Sequence, residues 1–226
     1  MPNSAAPRTA LLAGATGLIG RALLPLLLDG EAYGRVTVLA RGPAKGIAAS
    51  PKLEWRQVDL DRLPSPFPAI DDVYIALGTT IKVAGSEAAF RHVDFDHVVD
   101  IARAARGAGA SRLAVVSALG ADPNSRVFYN RVKGEMQAAV AALGYDSVTL
   151  AQPSLLMGDR AALGQPVRNL EVLAARLLGP VMGLVPRSVR PIAAGRVAAS
   201  LLRATLAPHP GLRILSSAQM QAPERL

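Results

Sequence analysis

The chain has 226 residues, half of them hydrophobic and 19% charged, a balance that suits one compact folded unit and excludes a disordered chain. It has no cysteine, which removes disulfides, thiolate nucleophiles and thiolate metal sites together and fits a reducing compartment, taken here as cytoplasmic. The formal charge of +8 sits late: residues 1–150 carry 16 basic and 14 acidic side chains, residues 151–226 carry nine and three, and all nine are arginines.

The first element is "RTALLAG", a strand expected over residues 8–14, followed by a helix over 18–29. The apolar run across both is long enough to suggest a signal or membrane segment. Gly14, Gly17 and Gly20 interrupt it, however, Arg21 lies inside it and Pro25 follows. A buried strand and helix are therefore expected, with no membrane partner. At their junction stands "GATGLIG", whose glycines follow GxxGxxG rather than the GxGxxG fingerprint. Glycines at a strand-to-helix turn let backbone approach a pyrophosphate, and the helix N-terminus adds N–H groups and a positive dipole. Gly14, Thr16, Gly17, Leu18, Ile19 and Gly20 are accordingly assigned to a dinucleotide; the plainer alternative is a turn that serves packing alone.

The second strand, 35–40, ends in Ala40 and Arg41, where an acidic residue would read the 2'-hydroxyl of NAD. An arginine suits a 2'-phosphate, so NADP(H) is expected in preference to NAD(H); otherwise Arg41 is an exposed loop residue. Residues 41–52 and 61–70 are too rich in Pro and Gly for helices and read as surface crossings. Between them runs a third strand, 53–58, after which Asp59 and Leu60 would lie beside the adenine. A fourth, 72–78, leads into Leu77, Gly78, Thr79 and Thr80, which would line the far side of the cofactor.

A helix is expected over 86–108. Its "RHVDFDHVVD" supplies His92, Asp94, Asp96, His97 and Asp100, all metal-ligand types, but an ion-paired, solvated helix face explains them with less, and no metal is expected. The fifth strand, 112–117, ends at Ser117. The next helix, 128–143, carries Tyr129 and Lys133 one turn apart on one face. A sixth strand, 146–152, precedes Pro153, Ser154 and Leu155. Helices near 167–178 and 192–206 and a last strand at "LRILSS" follow, and Gly30, Gly109 and Gly144 stand where helix C-caps belong.

Six strands separated by crossovers imply a doubly wound, Rossmann-type parallel α/β sheet. The chain reads as a single domain over 1–226, with 153–226 contributing a small substrate lobe. Nine aromatic residues and no basic block make nucleic acid an unsuitable partner. A monomer is expected, or a homodimer through the helices at 86–108 and 128–143.

"GATGLIG", the strand end at Ser117, "YNRVK" as YxxxK, and "AQPSLLMGDR" occur in an order that resembles an extended or atypical short-chain dehydrogenase/reductase, over about residues 8–160. "ALGTT", "YNRVKGE" and "GDR" further resemble the Tat-interacting-protein-like NAD(P)H-binding subgroup. The resemblance implies that Tyr129 is the acid/base, that Lys133 holds the nicotinamide ribose and favours the tyrosine anion, and that Ser117 hydrogen-bonds the substrate carbonyl. Pro153, Ser154 and Leu155 would offer backbone contacts to the carboxamide. The chain departs from the pattern at Asp94, where members often have Asn, and at Gln152, where they often have Arg. An oxidoreductase of a small carbonyl or alcohol is expected, with an anionic group of ligand or substrate held by one or more of Arg160, Arg168, Arg187 and Arg190. The alternative is a non-catalytic NAD(P)H-binding scaffold.

Overall fold

In the computed structural model, which describes residues 7–157, 186–207 and 209–222, the aliphatic runs become neighbouring strands of one parallel sheet. These are β1 (Arg8–Ala13), β2 (Tyr33–Ala40), β3 (Leu53–Gln57), β4 (Asp72–Ile75), β5 (Arg112–Val116) and β6 (Ser147–Gln152). β7 (Leu156–Met157) and β8 (Ile192–Ala193) form a separate short pair, and β9 (Gly211–Ser216) adds the seventh strand of the main sheet. The helices are α1 (Leu18–Asp29), α2 (Ile81–Ala84), α3 (Glu87–Arg91), α4 (His97–Gly107), α5 (Phe128–Ala141), α6 (Ala194–Leu206) and α7 (Ser217–Met220). A π-helical turn, His92–Asp96, joins α3 to α4.

The sheet order is β3-β2-β1-β4-β5-β6-β9, with every pairing parallel. Strand order therefore reverses between β1 and β4, and crossovers leave on opposite sides there, opening a crevice above the two C-terminal ends. Parallel strands buried on both faces need apolar side chains at every position, which is why β1 reads "ALLA" without alternation. Ala10 and Leu12 pack into the layer of α1 and α6, while Leu11 and Ala13 pack into the layer of α4 and α5. Alanines in α6 let it approach α1 closely, with Val197, Ala198, Leu201 and Ala204 buried.

Three local features differ from the sequence reading. β4 ends at Ile75 rather than 78, because the chain leaves the sheet after Ala76 N–H donates to Ala13 O at 2.8 Å. Gly30 ends α1 in an extended conformation, whereas Gly109 and Gly144 take the positive φ expected of a cap. The helix expected over 86–108 is interrupted by the π turn. In the segment from 153 onward, α6 and β9 join the main layers; the helix expected at 167–178 lies outside the described residues.

At the opposite end of the sheet from the crevice, Asp72 on β4 is fully buried and ion-paired with Arg8 on β1. Tyr33 O–H donates to Asp72 Oδ2 at 2.7 Å and its oxygen lies 2.7 Å from that of Tyr74. Burial pushes the Asp72 carboxyl up to about 6, against the hydrogen bond from Tyr33 and the guanidinium of Arg8, which pull it down. The folded state thus holds this proton more tightly than the unfolded chain. The associated stability is fully present below the ordinary value of 3.8 and is lost as pH rises through about 6. Relative to Asp72→Asn, the unmodified protein should lose on the order of 2 kcal/mol of stability between pH 4 and 6.5, as measured by urea unfolding at each pH.

Candidate functional site

The floor of the crevice is a close approach of two backbones. Gly14 has φ +90°, and a Cβ there would stand 2.5 Å from Ala76 O at the end of β4. A Cβ on Gly20 would overlap the carbonyl of Gly14. Both glycines are therefore fixed by packing. Gly17 differs: its nearest neighbour would be Gly14 O at an ordinary 3.5 Å, so the protein itself does not require glycine there. What Gly17 leaves open is the N-terminus of α1, which has no side-chain cap and directs the N–H groups of Leu18, Ile19 and Gly20 at the crevice. A diphosphate would supply acceptors for these donors.

Beyond the turn, Arg41, Gln57, Val58 and Asp59 line a cleft of about 630 Å³ at the C-terminal ends of β2 and β3. Arg41 and Asp59 are exposed, while Leu60 is buried in the core and does not line that cleft. Thr80 Oγ1 accepts from Val83 N–H at 3.2 Å and caps α2. Thr79 N–H donates to Asp94 Oδ2 at 2.8 Å, pinning the 77–80 turn to the π turn below it.

Asp94 carries more than that turn. It is 0% exposed, and its Oδ1 lies 2.7 Å from Nζ of Lys133, itself 3% exposed. The contact is Coulombic and not aligned as a hydrogen bond. Gly78 passes over the pair, close enough that a Cβ would stand 3.4 Å from Asp94 Oδ1 and 3.8 Å from Lys133 Nζ. Gly134, the next residue on α5, admits the backbone of Asp122 and Pro123, which a Cβ would overlap. Lys133 is thus held from both sides.

Tyr129, one turn earlier, is half-buried with its ring tilted against Phe90 at 5.2 Å between centroids. Its hydroxyl has no hydrogen-bond partner among the described residues. One turn beyond Lys133 on the same face is Gln137, which the sequence reading missed. Gln137 Nε2 donates to Ser117 Oγ at 2.5 Å, and Gln152 Nε2 donates to Gln137 Oε1 at 3.2 Å. Gln152, the departure noted in the sequence, therefore supports Ser117 through Gln137. The signal was present: a polar residue eight positions after Tyr129 returns to the Tyr129/Lys133 face. Since Ser117 accepts from Gln137, its own O–H is free to donate into the crevice.

Pro153 O accepts from Leu119 N–H at 3.0 Å and Leu155 O from Ile192 N–H at 2.9 Å. Ser154 O–H donates to Arg190 O and accepts from Ser217 at 2.9 Å. These residues tie the 186–190 segment to the end of β6. Of the four arginines singled out, Arg160 and Arg168 lie outside the described residues, Arg187 is exposed and Arg190 is half-buried.

Residues 14–155, which span the crevice from Gly14 to Leu155, match the family described as NAD(P)H-binding. The chain belongs to the NAD(P)H-binding family. Its relatives include the protein FMP52, mitochondrial, of Coccidioides immitis, 31% identical over 169 residues and covering 67% of each chain. HTATIP2 of Rattus norvegicus is 31% identical over 176 residues, 76% of this chain and 71% of its own. The solved structure of MoeE5 with UDP-glucuronic acid and NAD superposes with a TM-score of 0.69 at 17% identity, covering 92% of this chain and 75% of that one. WbmG of Bordetella bronchiseptica in complex with NAD gives 0.68 at 16% identity, covering 96% and 75%. The Rossmann-type fold and the resemblance drawn from the sequence hold. The cytoplasmic expectation does not: the FMP52 relatives are named as mitochondrial, and a lack of cysteine does not tell one reducing compartment from another.

Asp94 and Lys133 both lie within the matched residues, and the burial of the pair makes it fragile. Asp94→Ala leaves an unpaired buried ammonium and should cost about 3 kcal/mol or more in urea unfolding. Replacing both partners by Asp94→Leu with Lys133→Met should cost much less, because no uncompensated charge remains.

Proposed function

We propose that this chain is an NADPH-dependent oxidoreductase that reduces a small carbonyl compound, or oxidises the matching alcohol, at Ser117, Tyr129 and Lys133. The observation that carries the reading is the contrast along one face of α5. Lys133 and Gln137 are buried and engaged, while the Tyr129 hydroxyl has no hydrogen-bond partner among the described residues. A proton donor held open beside two fixed polar groups suits a carbonyl oxygen. NADPH, when bound, supplies the hydride. Ser117 O–H, oriented by Gln137, donates a hydrogen bond to the substrate oxygen, and Tyr129 O–H gives that oxygen its proton. Lys133, which Gly78 covers closely, would hold the ribose hydroxyls. Being half-exposed, Tyr129 would regain its proton from water, so returning that proton does not require the asparagine that members often have where this chain has Asp94.

Leu18, Ile19 and the open position at Gly17 support pyrophosphate binding, and Arg41 over the cleft of Gln57 and Asp59 supports the 2'-phosphate. Exposed Val83, Leu119, Val127, Met157 and Val189 all belong to segments that follow the C-terminal ends of β4, β5 and β6. An apolar carbonyl substrate fits such a rim, with Arg187 beside Val189 available to an anionic group.

One observation favours a second reading, an NAD(P)H-binding protein without turnover. Asp94 offsets the charge of Lys133, which weakens the field that Lys133 exerts on Tyr129. Aldehydes, ketones and quinones offered with NADPH, beside a binding titration, separate the two. Tyr129→Phe should retain NADPH affinity while turnover falls by about 10²; an unchanged rate with a confirmed substrate removes the catalytic assignment. Binding without any turnover in the unmodified protein establishes the second reading. In the same titration NADPH should bind more tightly than NADH by about 1 to 3 kcal/mol, and Arg41→Ala should erase most of the difference. Equal affinities in the unmodified protein count against the 2'-phosphate assignment.

A further inference from the structure

Away from Ser117, Tyr129 and Lys133, the π turn gathers a second set of polar side chains. In an α-helix, residues five apart are about 1.4 turns apart and point in different directions. Here His97 N–H donates to His92 O, the i to i+5 bond of a π turn, and the extra residue brings the two imidazoles onto one side. Their ring centroids are 4.4 Å apart. From the loop after β3, Asp61 reaches the same point: its Oδ1 is 2.6 Å from His92 Nε2 and 2.8 Å from His97 Nε2. A helix face that the sequence presents as solvated is therefore a three-sided convergence of two nitrogens and one oxygen, with ligand atoms all within 4.8 Å of one another.

We propose that Asp61, His92 and His97 bind a divalent ion of the zinc type, with Asp96 as the outer group that orients His92. Two imidazoles and one carboxylate are a borderline donor set that suits zinc or cobalt and disfavours magnesium or calcium, which take oxygen ligands. Both Nε2 atoms face Asp61 Oδ1, and because ligands of a tetrahedral ion with bonds of about 2.0 to 2.1 Å stand roughly 3.3 Å apart, the exposed Asp61 side chain would draw back by about half an ångström to admit the metal. Asp96 Oδ2 lies 3.1 Å from His92 Nδ1, the carboxylate–histidine arrangement that fixes the ring and leaves Nε2 for the ion. His97 is nearly buried and supplies a rigid base, whereas Asp61 and His92 are exposed and leave a position for water. The ion would fasten the loop that follows β3, two residues beyond Asp59 and next to Leu60, to the start of α4. Its role is structural support of the adenine side, since no group of the Ser117 site belongs to it.

The test uses the full-length chain, free of affinity tag and stripped with chelator, titrated with Zn²⁺ by calorimetry and with Co²⁺ by visible absorption. One equivalent should bind, and Co²⁺ should give the intense bands of a four-coordinate site. Asp61→Ala and His92→Ala, both at exposed positions, should each weaken Zn²⁺ binding by more than about tenfold, and Asp96→Ala by about tenfold with the Co²⁺ spectrum retained. Circular dichroism checks that the variants remain folded. No binding by the unmodified chain overturns the proposal, as does equal affinity in a combined Asp61→Ala, His92→Ala variant. Neither outcome decides the roles proposed for Ser117, Tyr129 and Lys133, which the NADPH titration and the turnover assay test separately.

Discussion

The approach of β1 to the end of β4 constrains everything built above the sheet. Two parallel strands at a switch point diverge only if the chain leaving β1 turns at once, and it does so at Gly14 with φ +90° against the carbonyl of Ala76. Gly20 then lets α1 lie down on the turn that precedes it. With those two positions closed to side chains, the first turn of α1 points into the crevice and Gly17 is spared any packing duty. The geometry thus divides a three-glycine motif into two residues that make the fold and one that leaves room for a ligand.

At the other end of the crevice the fixed element is α5, and its face is organised by charge and amide rather than by apolar packing. Lys133 is almost fully buried, and Asp94 from the π turn pairs with it. Because Asp94 also accepts from Thr79 N–H, the 77–80 turn, the π turn and α5 are fastened at one point. The same logic recurs one turn along, where Gln152 and Gln137 satisfy each other and present Ser117 as a donor. Neither arrangement needs a net charge at the site.

Elements governed by local pattern were legible in the sequence. The strands around "TALLA", "VTVLA" and "LAVV" follow from apolar runs bounded by turns, and the glycine turn follows from its position between strand and helix. The fold and the family resemblance both came from such signals. What was hidden is non-local. Ser117 and Gln137 stand 20 residues apart, His92 and Asp61 stand 31 apart, and no periodicity links them. The π turn is a further case: the helical pattern over 86–108 is correct, but one extra residue per turn changes which side chains face together, and His92 and His97 converge only because of it. Gln152 looked like a loss relative to an arginine, and only the structure shows that its partner is Gln137.

These hidden contacts share a physical consequence. The cation on α5 is compensated by Asp94, and the hydrogen-bonded chain from Gln152 to Ser117 is made of neutral groups. An uncompensated ammonium would oppose the positive ring of an oxidised nicotinamide and favour the neutral reduced form. With Asp94 in place that bias shrinks, and the two oxidation states differ less in their electrostatic cost at this site than they would beside an isolated lysine. On the proposed catalytic reading, pairing Lys133 with Asp94 would trade strength of the field on Tyr129 for tolerance of both cofactor forms. An asparagine at position 94 would reverse that trade, so the buried carboxylate is where the two proposed readings part.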